Sequence, residues 1–304
     1  MNKKIWLIII LFILIIIFVY NTNNNEYFEN TESFIEKTTY FSENISNQSK
    51  PYLWQYWEGE MPDYISLCLE TVDKHCSNDF NIVRLNQNNI KDYLPELNDE
   101  SFKKYIDNIN NLIIPQKVDI YRIMLLYKYG GMYIDTDIIV LQNPIKILDK
   151  LNEFDFIGFG CTGEICKYGY GKPSNWLLIS KSHTILMKNI LDKLLNKMKS
   201  SNKFEYHDLG KMIIWDTLND LIKNNNYKYY HYPNTIDGTR DIDGNWVTSS
   251  RIFSNESITY DNENDLFFLI IYNAEVNQDY KKMSKNELLS KDWNFTKFIN
   301  KSLK

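Results

Sequence analysis

The run KVDIYRIMLLYKYGGMYIDTDIIVL, residues 117–141, limits the fold more than any other stretch. Its first half is apolar on nearly every side, so as a helix it needs cover all round rather than along one stripe. Pro115 suits a helix start, and Gly130-Gly131 suit a helix end. Two short apolar strands follow, MYI and then IIVL. A fully covered helix leading into buried strands belongs to an α/β sheet of nucleotide-binding type. The flanking segments agree. PYLWQYW reads as a first strand, MPDYISLCLETVDKHC as a helix and FNIVRLN as a second strand. Further on, FDFIGFG and NWLLIS read as strands, HTILMKNILDKLLNKMK and DLGKMIIWDTLNDLIK as helices, and LFFLIIY as a late buried strand. Residues 51–304 show no internal repeat and no second domain.

Two carboxylates, Asp135 and Asp137, interrupt the MYI–IIVL stretch. Buried charges in a strand are costly unless something completes them. Flanked by apolar residues they make poor sense as surface decoration, and a kink or bulge after the strand would bring both toward one ligand. Hard cations such as Mn²⁺ or Mg²⁺ take carboxylate and phosphate oxygens, usually one or two from protein and the rest from a substrate's phosphates. A cation held at Asp137 against a diphosphate would assist its departure as a leaving group. The competing reading is a solvated loop or an ion-paired core residue. Within the preceding helix Asp119 and Arg122 are three apart and share a face, as site residues or as a simple ion pair.

The N-terminus carries Lys3 and Lys4 before 16 apolar residues, Ile5–Tyr20. That is slightly short of the ~20 residues of a spanning helix, and no small-residue cleavage site follows. The expected organisation is a cytosolic tip at 1–4, a signal anchor at 5–20, a polar stem at 21–50 and a globular domain at 51–304. This organisation would make the chain a single-pass type II membrane protein with its globular domain in the lumen of the secretory pathway or otherwise extracytoplasmic. A cleaved signal peptide is the rival. Sequons at Asn44, Asn47, Asn255, Asn294 and Asn300 agree with that side of a membrane. Cys68, Cys76, Cys161 and Cys166 permit two disulfides between sequence neighbours, with four free thiols as the alternative. No cysteine spacing suits zinc. A net charge of −5 gives no footprint for nucleic acid.

The combination GG-x-Y-x-D-x-D after a helix bearing D-x-x-R, Lys117 to Ile138, resembles the glycosyltransferase sugar-binding region containing DXD motif. That group includes the capsular polysaccharide synthesis proteins and Golgi-type mannosyltransferases. Trp54 to His75, with W-Q-x-W and M-P-x-x-x-x-x-C, looks like the capsular-type opening. The resemblance is clear from Pro51 to Pro144 and diffuse beyond. It implies a GT-A fold: one Rossmann-like nucleotide-diphospho-sugar transferase domain with a mixed, mostly parallel central sheet. It implies a UDP- or GDP-hexose donor, Mn²⁺ or Mg²⁺, and retention of configuration. The acceptor would be a glycan, glycolipid or glycoprotein.

On that resemblance Asp135 and Asp137 hold the metal, and Asp135 also meets the donor's ribose or sugar. Asp119 and Arg122 face the donor sugar and phosphates. Gln55 and Trp57 hold the nucleotide. Gly131, Asn175 and Gly210 are counted with the substrate site, Gly131 by letting the backbone turn tightly into the metal-bearing strand. Such donors bind beyond the carboxyl ends of strands. Two positions depart from the family pattern: Lys211 follows Gly210 where relatives have proline, and Asn273 stands where many have histidine. His183 matches a family histidine or starts a helix. Asp208, Asp237, Asp241 and Asp243 are open candidates for a base or nucleophile. Other classes remain: a non-catalytic nucleotide-sugar or carbohydrate-binding protein, a structural membrane protein, and a metal-dependent hydrolase.

Overall fold

The computed structural model describes residues 50–100, 103–160, 172–201, 203–225, 227–232 and 237–304. In chain order the main elements are β1 (Tyr52–Tyr56), α1 (Asp63–Cys76), β2 (Asn81–Leu85), α2 (Ile114–Tyr129), β3 (Gly131–Ile134), β4 (Ile138–Val140), β5 (Phe156–Phe159) and β6 (Leu177–Ser180). They continue as α3 (Ile185–Ser200), α4 (Lys211–Asn225), β7 (Tyr230–Tyr232), β8 (Phe268–Ile270) and α5 (Asn294–Leu303). Six strands form one sheet in the order β2-β1-β3-β6-β5-β7. β1 runs parallel to β2 and β3, and β5 to β7, while β6 is antiparallel to both its neighbours. All strands but β6 therefore share one direction, the mixed, mostly parallel sheet expected. β4 and β8 pair separately as a two-stranded antiparallel sheet.

The strands alternate as their period of two demands. Trp54, Tyr133 and Leu178 face a core made with α2, α3 and α4. Leu53, Met132, Leu177 and Ile179 face the opposite core with β4 and β8. A third core joins α1 and α5 to the small sheet. Helix α2 is buried at every position from Val118 to Lys128, which explains its lack of a polar face. Lys128 is tolerated inside because its Nζ meets Glu96 at 3.0 Å.

Gly130 and Gly131 turn α2 into β3 with φ of +66° and +94°. Trp54 Nε1 donates to the Gly130 carbonyl at 2.9 Å, tying the turn to β1. A side chain at Gly131 would run into the Tyr52 carbonyl of the neighbouring strand. Gly131 thus serves the sheet. It lies at the start of β3, roughly 13 Å along the strand from Asp135, and does not join the substrate site it was counted with. Gly131→Ala adds left-handed strain of about 1–2 kcal/mol to an overpacking cost of about 1–3 kcal/mol. Urea unfolding is expected to show a loss within their sum, and an unshifted midpoint would refute the packing argument.

The carboxylates do not interrupt a strand. β3 ends at Ile134 and β4 begins at Ile138, so Asp135-Thr136-Asp137 is the turn carrying the chain from the large sheet to the small one. Cys68 and Cys76 are both buried free thiols. Eight residues apart on α1, they are separated by a rise of about 12 Å, beyond the ~7 Å that a disulfide spans. Cys161 and Cys166 lie outside the described residues, as do the apolar run 5–20 and the stem. Among the described residues no helix is long and apolar enough to cross a membrane. The Asn294 sequon is closed to a glycan, because its buried amide donates to the carbonyls of Arg251 at 2.9 Å and Glu256 at 2.6 Å.

Candidate active site

From β1 the sheet grows toward β2 on one side and β3 on the other. The carboxyl ends of these strands diverge there into a crevice, the position where open α/β sheets bind ligands. A cavity of about 510 Å³ occupies it, lined by Gln55 and Trp57 of the β1 end, Arg84 and Asn86 of the β2 end, and Thr136 of the turn after β3. Gln55 Oε1 accepts from Arg84 Nε at 3.3 Å. Gln55 Nε2 and Trp57 Nε1 are buried donors with no hydrogen-bond partner among the described residues. Unmade bonds of that kind are costly, so the donors are suited to a ligand.

Beside this cavity α2 delivers Asp119 and Arg122. Arg122 Nη2 lies 3.4 Å from Asp119 Oδ1 and 3.2 Å from Asp135 Oδ1. Its Nη1 donates to the Asn175 carbonyl, and its guanidinium covers the Tyr133 ring at 4.6 Å from the centroid. Asn175 Nδ2 donates to Asp119 Oδ1 at 2.7 Å. Gly210 closes the group: a Cβ there would strike the Asp119 carboxylate and come to 2.7 Å from Asn175 Nδ2. Asp119, Arg122, Asp135, Asn175 and Gly210, drawn from four separate segments, therefore meet at one point. Asp137 is held differently, its Oδ2 accepting from the Asn273 backbone N–H at 2.6 Å.

Burial pushes the Asp135 carboxyl up to about 7, against the pull of Arg122 and with help from the charges of Asp137 and Asp119. Burial likewise raises Asp119 to about 6, with Arg122, Asn175 and Lys211 opposing it. Asp137 is raised by burial too, while the Asn273 N–H lowers it. Burial alone would lower Arg122, but the charges of Asp135, Tyr133 and Asp119 hold it above its ordinary value. Two carboxyls thus share one guanidinium, and a third, Asp137, lies within reach of its charge.

The profile of a family described as Capsular polysaccharide synthesis protein matches residues 18–237. The chain belongs to that family. With that membership it is a transferase of the glycosyltransferase kind. Among solved structures it is similar to the PaToxG glycosyltransferase, at 15% identity and TM-score 0.40, over 64% of this chain and 78% of that one. It is also similar to the glycosyltransferase GlyE of Streptococcus pneumoniae TIGR4, at 13% identity and TM-score 0.46, over 83% of this chain and 63% of that one. The chain therefore spans less than two thirds of GlyE. A search of curated proteins returned no match.

The two departures from the capsular family pattern acquire a physical reading. Asn273 supports Asp137 through its backbone N–H, which any residue supplies, while its side-chain oxygen accepts from Tyr64 OH. Lys211 is half-buried, lies over Trp215 at 5.1 Å and acts on Asp119, so it is nearer the site than a solvated lysine. His183 stands just before the helix that Thr184 caps, with φ of 55° and its N–H on the Tyr127 carbonyl at 2.7 Å. Of the open candidates for a base, Asp208 pairs with Lys197 at 3.0 Å and Asp241 with Arg251 at 2.8 Å. Asp237 is fully buried against Thr239, and Asp243 is exposed. Sequence reasoning passed over Tyr206, whose phenol feels the charges of Asp119 and Asp135, and Lys281, which acts on Asp137. Tyr206 opens the YHDLGKMIIWD segment that resembles the family's, where it carried no role, and Lys281 sits in no recognisable motif. Arg84 was detectable, as the charge near the carboxyl end of an otherwise apolar strand.

Proposed function

We propose that this member of the capsular polysaccharide synthesis family moves a hexose from a nucleotide sugar to a glycan, glycolipid or glycoprotein acceptor, using a divalent cation held by Asp135 and Asp137. The observation that carries this reading is the gathering of three buried carboxyl groups, Asp119, Asp135 and Asp137, where the crevice meets the Arg122 guanidinium. The donor set fits a hard cation such as Mn²⁺ or Mg²⁺, because Asp135 and Asp137 offer carboxylate oxygens from one turn. Such an ion takes its remaining ligands from phosphates and water. When bound it would offset the diphosphate's charge and favour its departure.

The chain's own residues supply the rest. The cavity edged by Gln55, Trp57 and Arg84 offers donors to the nucleotide. Arg122 is preorganised by Asp119, Asn175 and Tyr133, so its positive charge needs no rearrangement to meet phosphate or the developing charge at the sugar. Asn175 and Gly210 fix Asp119 against that guanidinium. Retention of configuration enters this reading from the family resemblance, with the departing phosphate as one group able to take the acceptor's proton. Residues 5–20 are proposed as the membrane anchor that keeps the domain in the lumen or outside.

The test compares the full chain with its Asp137→Ala variant in Mn²⁺ and a panel of UDP- and GDP-sugars, following nucleotide release. The parent is expected to release nucleotide from at least one donor, and the variant to do so at least about a hundredfold more slowly. Equal release by both would sink the metal assignment. Mn²⁺-dependent nucleotide binding without release or transfer would make the chain a binding protein instead.

A further inference from the structure

A short hairpin packed against Tyr272, the neighbour of the residue that holds Asp137, presents an exposed aromatic ring. Residues Thr239 to Val247 form a tight hairpin. Asp241 N donates to the Asn245 carbonyl at 3.1 Å, Gly244 N to the Asp241 carbonyl at 2.9 Å, and Val247 N to the Thr239 carbonyl at 3.0 Å. The Asp241 carboxylate accepts from the backbone of Asp243 and Asn245 at 3.1 and 2.8 Å and pairs with Arg251 at 2.8 Å. All this bonding holds out one large ring, Trp246, which is 44% exposed. Its indole is pinned by the Arg240 guanidinium, 4.0 Å from the ring centroid. Tyr272 stands against it at 5.7 Å.

Tyr272 ties this surface to the reaction centre. It is the residue before Asn273, whose N–H holds Asp137. It is a non-glycine residue with φ of 56°, a conformation that costs about 1–3 kcal/mol and gathers at functional sites. Ser249 Oγ fixes its carbonyl at 3.1 Å. The same hairpin exposes Ile242, Asp243 and Asn245, and Glu275 acts on Tyr272. A rigid aromatic face with carboxylate and carboxamide neighbours suits the apolar C–H face and the hydroxyls of a pyranose.

We propose that Trp246, braced by Arg240 and Tyr272, is the platform on which a saccharide residue of the acceptor stacks beside Asp137. The proposal rests on the transferase reading, since an acceptor subsite has meaning only if a sugar is transferred. The preformed hairpin means that little ordering is needed on binding, and the short path from Trp246 through Tyr272 to Asn273 puts the bound hydroxyls near the donor's end of the site.

The test is ligand-observed NMR on the full chain with the methyl glycosides of glucose, galactose, mannose and N-acetylglucosamine at millimolar concentration. Nucleotide binding with Mn²⁺ is followed in parallel. At least one glycoside is expected to bind. Trp246→Ala should weaken it about tenfold, Trp246→Phe should keep most of it, and both variants should bind nucleotide as the parent does. Binding of no glycoside, or equal binding by parent and Trp246→Ala, overturns the subsite. Loss of nucleotide and glycoside together in Trp246→Ala also overturns it, because the indole would then be structural. The transferase reading fails separately, through a parent that binds a glycoside but neither binds nor cleaves any nucleotide sugar.

Discussion

Arg122→Met is expected to lower stability by about 3–5 kcal/mol, the cost of breaking a buried ion pair and leaving its partner charged. The guanidinium touches Asp119, Asp135, the Asn175 carbonyl and the Tyr133 ring, and methionine replaces only its apolar stem. The deficit should depend on pH in a definite direction. Asp135 near 7 and Asp119 near 6 both sit above the ~4 of an unfolded aspartate. The folded protein therefore holds more protons than the unfolded chain between about pH 4 and 7, and these groups cost stability as pH rises through that window. Without Arg122 the carboxyls lose their nearest counter-charge and the cost grows. Urea midpoints should show a larger gap between variant and parent at pH 8 than at pH 5. An equal gap at both would mean that lost packing, not charge, is the cause. Donor turnover should vanish with the variant at either pH.

Gly210→Ala is expected to cut turnover about a hundredfold while the protein stays folded. The new methyl has no room: the Asp119 carboxylate and the Asn175 amide stand where it must go. Moving them shifts Arg122, which Asn175 and Asp119 hold, and a displacement near 1 Å in such a site costs on the order of 10²-fold. The stability loss should be only about 1–3 kcal/mol, as for other overpacked positions. Comparing steady-state turnover with the thermal midpoint checks both parts. An active Gly210→Ala protein would show that this cluster tolerates movement, and Asp119 would then be a structural partner of Arg122 alone.

The sequence was most legible where one segment carried a complete physical demand. The helix from Pro115 to Gly130 had no polar face, and the fold buries it between sheet and helices. The D-x-x-R spacing put Asp119 and Arg122 on one face, and they do lie together. The W-Q-x-W strand ended at Gln55 and Trp57, which line the crevice. Legibility failed where the cause lay in pairing between distant segments. Gly131 was counted with the site for the tight turn it allows into the carboxylate-bearing segment, and strand geometry puts that turn at the other end of β3, under Tyr52. The cysteines of α1 looked pairable by number alone, and helical rise separates them.

Local chemistry is what the sequence determined by itself: which segments must be buried, where a helix has to stop, and which carboxylates are too costly to leave without a partner. These follow from side-chain transfer energies and backbone sterics, which act within a few residues. Tertiary structure alone decided that Asp135 and Asp137 occupy a turn between two sheets, that Arg122 reaches Asp135 across it, and that Asn175 and Gly210 lock Asp119 from segments more than fifty residues downstream. It also decided that the backbone N–H of Asn273, 136 residues beyond Asp137, holds that carboxylate. The reason is that strand order and helix docking are set by the closing of the whole core, and no short stretch of chain contains the information to place its distant neighbours.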